Sequence, residues 1–236
     1  MGTSKKKLMI IAAHPDDEVL GAYSYLSNKS YECQTIFVCE GSSARFLFGE
    51  KSQALDQAVK LRELAALNVS KELKNLPPIF LNYTNLTLAS LPVIEINQKI
   101  EPLLDSFRPN LIMTHTQDCN NLDHRMVSTC VSSIVRANKF PNIEMILNME
   151  IPSSTEQFWN HSFTPNHFIT LSKSQMDKKI EMLSIYGDEL QSDPNPRSSF
   201  GVRSYAQFRG LACGAMYAES FKIVRSIFRG EVSNGK

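Results

Sequence analysis

Two short stretches hold the residues best suited to chemistry in this chain: Ala13-His14-Pro15-Asp16-Asp17-Glu18 and Asn121-Leu122-Asp123-His124. Together they supply two imidazoles and several carboxylates, the side chains that bind a divalent ion and activate water beside it. Successive residues in a turn point in different directions, so one of two adjacent aspartates can ligate an ion while the other faces the ion's water. A His, an Asp and a second His give three protein ligands and leave positions open, a catalytic rather than a closed structural arrangement. Each stretch also has a purely structural reading. In the first, Pro15 enforces an extended His14, Asp16 caps a helix, and Asp17 and Glu18 complement its dipole. In the second, Asp123 is the cap and His124 a first-turn surface residue. That reading leaves His14 unexplained, and the agreement of placement in the two stretches favours a shared site.

The elements around the two stretches decide whether they can meet. Leu8–Ala13 is continuously apolar and predicts a strand covered on both faces, followed by a helix over Glu18–Leu26. Thr35–Cys39 and Leu111–Thr114 predict further central strands, with Ile79–Leu81, Glu144–Asn148 and His167–Leu171 as shorter ones. Lys51–Leu67 predicts a helix whose apolar stripe, Ala54, Leu55, Ala58, Leu61, Leu64 and Ala65, faces the core. Helices are also predicted over Val93–Phe107, kinked or divided at Pro102, over His124–Ala137 and over Lys173–Tyr186. Gln191–Ser204 is polar and rich in Pro and Ser, hence a loop, and a loop of that length in a compact domain is often functional. Strand alternating with helix predicts an α/β fold: a Rossmann-like, mostly parallel sheet with helices on both faces. In such a sheet the loops after parallel strands share one edge, so the two stretches converge if their strands are neighbours.

Composition narrows the function classes. The chain has 236 residues, 42% hydrophobic and 21% charged, with a formal net charge of +1, so it offers no broad electrostatic footprint for nucleic acid. Its first apolar run is too short for a signal-peptide core or a membrane span. Cys33, Cys39, Cys119, Cys130 and Cys213 are odd in number and form no C-x-x-C pair, which argues for reduced thiols in the cytoplasm. The G-x-G-x-x-G fingerprint and the P-loop are both missing from the sequence, so no dinucleotide or nucleoside-triphosphate site is indicated.

The AHPDDE segment after the first strand, with a later Asp123-His124-Arg125 opening a helix, resembles the PIG-L/LmbE family of metal-dependent N-deacetylases. Arg62-Glu63 with Ala66-Leu67-Asn68-Val69, Phe107-Arg108-Pro109-Asn110-Leu111, Met149–Ser154 and Arg209-Gly210 resemble other segments of that family, so the likeness extends over most of the chain. The resemblance implies a hydrolase that removes an N-acetyl group from an N-acetylamino sugar or sugar conjugate. It makes His14, Asp17 and His124 the metal ligands, for zinc or, in the cell, iron, and Asp16 the general base. Imidazole ligands need an acceptor to fix their tautomer, and Asp123 and Asp118 are the candidates to supply it. Residues 1–236 are expected to form a single deacetylase domain, with about 143–236 wrapping the sheet.

One position departs from the family pattern. Many members read H-P-D-H at the second motif, where this chain has Asn121. A neutral amide donates a hydrogen bond to an oxyanion but does not shuttle a proton. Either Asp16 returns the proton to the amine or His115 or His161 substitutes, and the first is the expectation. Arg62 is expected to contact substrate, since a guanidinium suits phosphate or hydroxyl recognition, with a surface position paired with Glu63 as the alternative. Glu40-Gly41-Ser42-Ser43 follows the second strand at the same edge, as site lining or as a simple turn. Phe158, Trp159 and Phe163 are expected in the core, with stacking on a sugar ring as the alternative. Two other readings stay open: a metallohydrolase acting on another amide or a phosphoester, and a non-catalytic sugar-binding protein of the same fold.

Overall fold

The computed structural model describes residues 5–159 and 161–229. Seven strands form one sheet in the order β3-β2-β1-β4-β5-β7-β6: β1 Lys6–Ala12, β2 Tyr31–Cys39, β3 Ile79–Tyr83, β4 Leu111–Thr114, β5 Met145–Met149, β6 His167–Leu171 and β7 Tyr217–Ser226. The first five run parallel, while β7 is antiparallel to both β5 and β6. The helices are α1 Asp17–Leu26, α2 Gln53–Glu72, α3 Val93–Phe107, α4 Leu122–Ile134, α5 Lys173–Ser184 and α6 Ser199–Cys213.

The sheet separates two cores, and β1 feeds both. Leu8, Ile10 and Ala12 pack with residues of α1, α2, α5 and α6, whereas Met9 and Ile11 pack with residues of α3 and α4. That two-sided burial is why β1 reads as an unbroken apolar run rather than an alternating one. β1 pairs directly with β4, Leu8 opposite Leu111 and Ile11 opposite Thr114. The order of strands reverses between them, which opens a crevice at their carboxyl ends. Both chemistry-bearing stretches leave the sheet there.

Several expectations need correction. The buried face of α2 is Arg62, Ala65, Ala66 and Val69, while Leu61 and Leu64 are exposed. The helix is turned by its polar anchor, because Arg62 reaches inward to the loop after β1. α3 runs unbroken through Pro102. Both Pro102 and Gln98, whose carbonyl the ring deprives of a partner, are exposed, so water can serve that carbonyl. Only residues 191–198 of the polar stretch are loop. Ser198 accepts a hydrogen bond from the Gly201 amide and caps α6, so the Ser-rich tail of the stretch is a helix start. α6 and β7 were not anticipated as elements. Trp159 is almost fully exposed, contrary to the expected core position, while Phe163 is buried.

Candidate metal and catalytic site

Three donor atoms meet in the crevice. His14 Nδ1, His124 Nε2 and Asp17 Oδ2 stand at the corners of a triangle, each 3.3 Å from the other two. Ligands about 2.0–2.1 Å from a tetrahedral ion lie roughly 3.3 Å apart, so the triangle has the size one face of a zinc-like coordination shell requires. Asp17 is fully buried, and its Oδ1 has no hydrogen-bond partner among the described residues. An ionised carboxylate with an unpaired oxygen in the interior is costly unless a cation shares it. The donor set therefore fits a divalent ion. His14, Cys39 and Asp123 also have donor atoms within 4.8 Å of one another, but that group shares His14, and Asp123 is already engaged.

Local structure explains how each ligand is aimed. The structural reading of the first stretch fails at Asp16, which makes no side-chain cap bond and has φ 128°, outside the regions ordinary residues favour. Two carboxylates fix this turn instead: Asp17 Oδ2 accepts from the His14 amide at 2.9 Å and Glu18 Oε2 from the Asp16 amide at 3.0 Å. Tyr186 Oη in turn donates to Glu18. In the second stretch the cap is Asn121, whose Oδ1 accepts from the Asp123 and His124 amides, rather than Asp123. This leaves the Asn121 amide nitrogen as its remaining donor.

Asp123 orients His14: its Oδ2 lies 3.1 Å from His14 Nε2 and also accepts the Leu86 amide at 2.7 Å. Asp118 does not do so; its carboxylate approaches Thr116 and Lys222, away from either ligand imidazole. His124 Nδ1 meets Cys119 Sγ at 3.2 Å instead. Burial holds His124 down to about 3, hence neutral and ready to ligate. Burial also works against a charged His14, yet hydrogen bonds to Asp123 and Asp17 raise it to about 9. His115 stacks on His124 with ring centroids 3.9 Å apart, and its Nε2 accepts the Ala13 amide at 2.8 Å. That nitrogen holds the strand end, and Nδ1 is without a partner among the described residues. His161 is exposed beside Phe158.

Asp16 lies beside the triangle with its Oδ2 between two guanidiniums, 3.1 Å from Arg62 Nη2 and 3.0 Å from Arg197 Nη1. Its Oδ1 is unpartnered among the described residues. Burial lifts the Asp16 carboxyl to about 6 against the pull of Arg197 and Arg62. Arg62 also donates from Nε to the Pro15 carbonyl at 2.9 Å and from Nη1 to Glu189. Gly41 makes room for it: a Cβ there would sit 2.5 Å from Arg62 Nε, and its φ of +84° is one that residues with a side chain rarely adopt. Glu40 accepts from Ser42, Ser43 and Asn85, so its carboxylate holds the turn. A cavity of about 600 Å³ lies over the site, with His14, Arg45, Arg62, Asn121, Glu189 and Arg197 in its lining. The sequence reading missed Arg45, Cys119, Glu189 and Arg197. The signal available for Arg197 was its position in the long polar loop.

Comparison with known proteins identifies the family and the fold. Residues 9–135, just over half of the chain, match the sequence model of the PIG-L family, described as GlcNAc-PI de-N-acetylase. No curated protein matches by sequence. Among solved structures, the N,N'-diacetylchitobiose deacetylase from Pyrococcus horikoshii superposes with a TM-score of 0.71 at 17% identity, over 94% of this chain and 84% of that one. The 4-carboxy-2-hydroxymuconate hydratase GalB from Pseudomonas putida KT2440 gives 0.72 at 16% identity, over 97% of this chain and 100% of that one. A zinc-inhibited form of the teicoplanin deacetylase Orf2 gives 0.68 at 15% identity, over 97% and 100%. At such identities these likenesses describe the fold.

Proposed function

We propose that this chain, which belongs to the PIG-L family of GlcNAc-PI de-N-acetylases, hydrolyses the N-acetyl group of an N-acetylamino sugar or sugar conjugate with zinc as its ion. The observation that carries the reading is the 3.3 Å triangle of His14, Asp17 and His124 with Asp16 beside it. The deacetylases of diacetylchitobiose and teicoplanin among the structural neighbours support the substrate class. The hydratase neighbour is a reminder that this fold alone does not select a reaction.

A divalent ion held by His14, Asp17 and His124 would acidify a water and polarise the acetamide carbonyl. The chain's own residues do the rest. Asp16 takes a proton from the attacking water as the water oxygen bonds to the carbonyl carbon and the carbonyl π pair moves onto its oxygen. When that oxyanion collapses, the carbon–nitrogen bond breaks and the nitrogen takes the proton from Asp16. Acetic acid, which then ionises, and a free amine leave. Arg62 and Arg197 hold Asp16 in place, Asp123 holds His14, and Asn121 fixes the first turn of α4.

A cavity of about 600 Å³ is large enough for a sugar and part of what it is joined to. In this reading residues 1–236 act as one domain, with the part after about 143 wrapping the sheet. The cytoplasm is the proposed setting. The cysteines are unpaired, and among the described residues no helix is long and apolar enough to cross a membrane.

Acetate release from N-acetylamino sugars, measured beside metal content, tests the proposal. His14→Ala combined with His124→Ala should lose the bound metal, and Asp16→Asn should keep it while losing acetate release. Metal retained in the double variant removes the ligand assignment. A phosphoesterase would instead turn over phosphate esters, and a sugar-binding protein would bind its ligand with metal present and no turnover.

A further inference from the structure

The crevice holds more positive charge than Asp16 needs. Each guanidinium offers five N–H donors. Arg62 directs all three of its nitrogens to protein: Nε to Pro15, Nη1 to Glu189 and Nη2 to Asp16. Arg45 is half-exposed and reaches Glu189. Arg197 differs. Its Nε donates to Ser153 Oγ at 3.0 Å, and its Nη1 serves both Asp16 at 3.0 Å and Glu189 at 3.2 Å. Its Nη2 makes no hydrogen bond among the described residues and lies 3.9 Å from Asp17 Oδ1, the unpartnered oxygen of a carboxylate in the donor triangle. A charged donor with free N–H groups thus stands between the base and a metal ligand, on the cavity wall.

The backbone under Arg197 is built to hold that position. The Arg197 amide donates to Asn195 Oδ1 at 2.8 Å, and its carbonyl accepts the Gln191 amide at 3.2 Å. Ser198 next to it caps α6. The loop lies so close to that helix that a Cβ on Gly201 would come 2.4 Å from the Asn195 carbonyl oxygen. A donor fixed before the reaction stabilises developing charge without reorganising, which is the requirement for an oxyanion site.

We propose that Arg197 is a catalytic residue whose Nη2 donates to the oxygen of the scissile acetyl group as it becomes an oxyanion. The assignment rests on the deacetylase reading. It goes beyond holding Asp16, because Arg62 and the Nη1 of Arg197 suffice for that.

The test compares wild type with Arg197→Gln and Arg197→Lys at matched zinc occupancy. Arg197→Gln should lower kcat by about 100- to 1000-fold with KM changed less than about threefold. Arg197→Lys, which keeps the charge and loses the planar fork, should recover part of the rate, and added guanidinium should partly rescue Arg197→Ala. Acetate, the carboxylate product, provides a readout that needs no turnover: its affinity for the zinc-loaded protein should fall about tenfold in Arg197→Gln. Unchanged kcat, a defect confined to KM, or a rate loss that tracks zinc loss overturns the assignment, as does unchanged acetate affinity. If wild type releases no acetate, the deacetylase reading and this assignment fall together, whereas wild-type release that survives intact in Arg197→Gln overturns the assignment alone.

Discussion

His14, in the turn after β1, and Asp123, in the first turn of the helix that follows the neighbouring β4, meet with Nε2 3.1 Å from Oδ2 in a buried contact. The contact fixes which ring nitrogen of His14 is left to face the donor triangle. Asp123→Asn keeps the shape and removes the charge, and it should weaken zinc binding by about 10- to 100-fold, as measured by chelator competition. Zinc affinity equal to wild type would show that the triangle orients His14 without help.

Gly41→Ala should damage the site from the far side of Arg62. The new methyl group meets Arg62 Nε, and the backbone must keep a left-handed φ. Strain of this kind costs about 1–3 kcal/mol, readable as a lower denaturant midpoint. Because Arg62 flanks Asp16, acetate release should fall about tenfold or more in the same variant.

The turned α2 gives a paired stability test. Leu61→Gln and Leu64→Gln alter exposed residues and should each change stability by no more than about 0.5 kcal/mol. Ile100→Ala, at a fully buried position of α3, should cost about 2–5 kcal/mol in the same urea titration. A large loss at Leu61 or Leu64 would mean that this face is covered.

Partial burial lowers the His167 pKa from its ordinary value of 6.5, where the ring lies 2.9 Å from Tyr25 Oη. Its folded value lies below its unfolded value, so acid favours the unfolded chain. The stability it contributes is present above about pH 6.5 and is lost as pH falls through the folded value. His167→Gln should therefore show a shallower decline of urea midpoint than wild type between pH 7 and pH 5.

Much of the site was legible because local chemistry and topology agree. A strand buried on both faces has an unbroken apolar sequence, and polar residues directly after it mark the sheet edge, which is how His14 and Asp17 stand out. Their partner His124 was legible by the same rule, since β1 and β4 are neighbours. Arg62 could be singled out by type, but its inward direction could not. A helix with apolar residues on more than one face has its buried side chosen by tertiary contacts, and a guanidinium bonded to Pro15 and Asp16 made the choice. Glu189 and Arg197 could not be paired with Asp16 from the sequence, because they arrive from segments beyond β6, more than 170 residues later. β7 was missed for a related reason: Val224 and Ser226 are exposed and Arg225 half-buried, which blurs its apolar pattern.

The place of β7 in the sheet divides the labour of the chain. The ion's donors all lie in the segment that ends before β5, whereas Glu189 and Arg197 lie on the connection that β7 clamps from outside, wedged antiparallel between β5 and β6. A fastener made of backbone pairing holds the ends of that connection independently of the side chains it carries. New selectivity can thus be tried on that connection around a fixed Glu189 and Arg197, whose contacts to Arg62 and Asp16 must be kept, much as a tool changes its bit and keeps its handle.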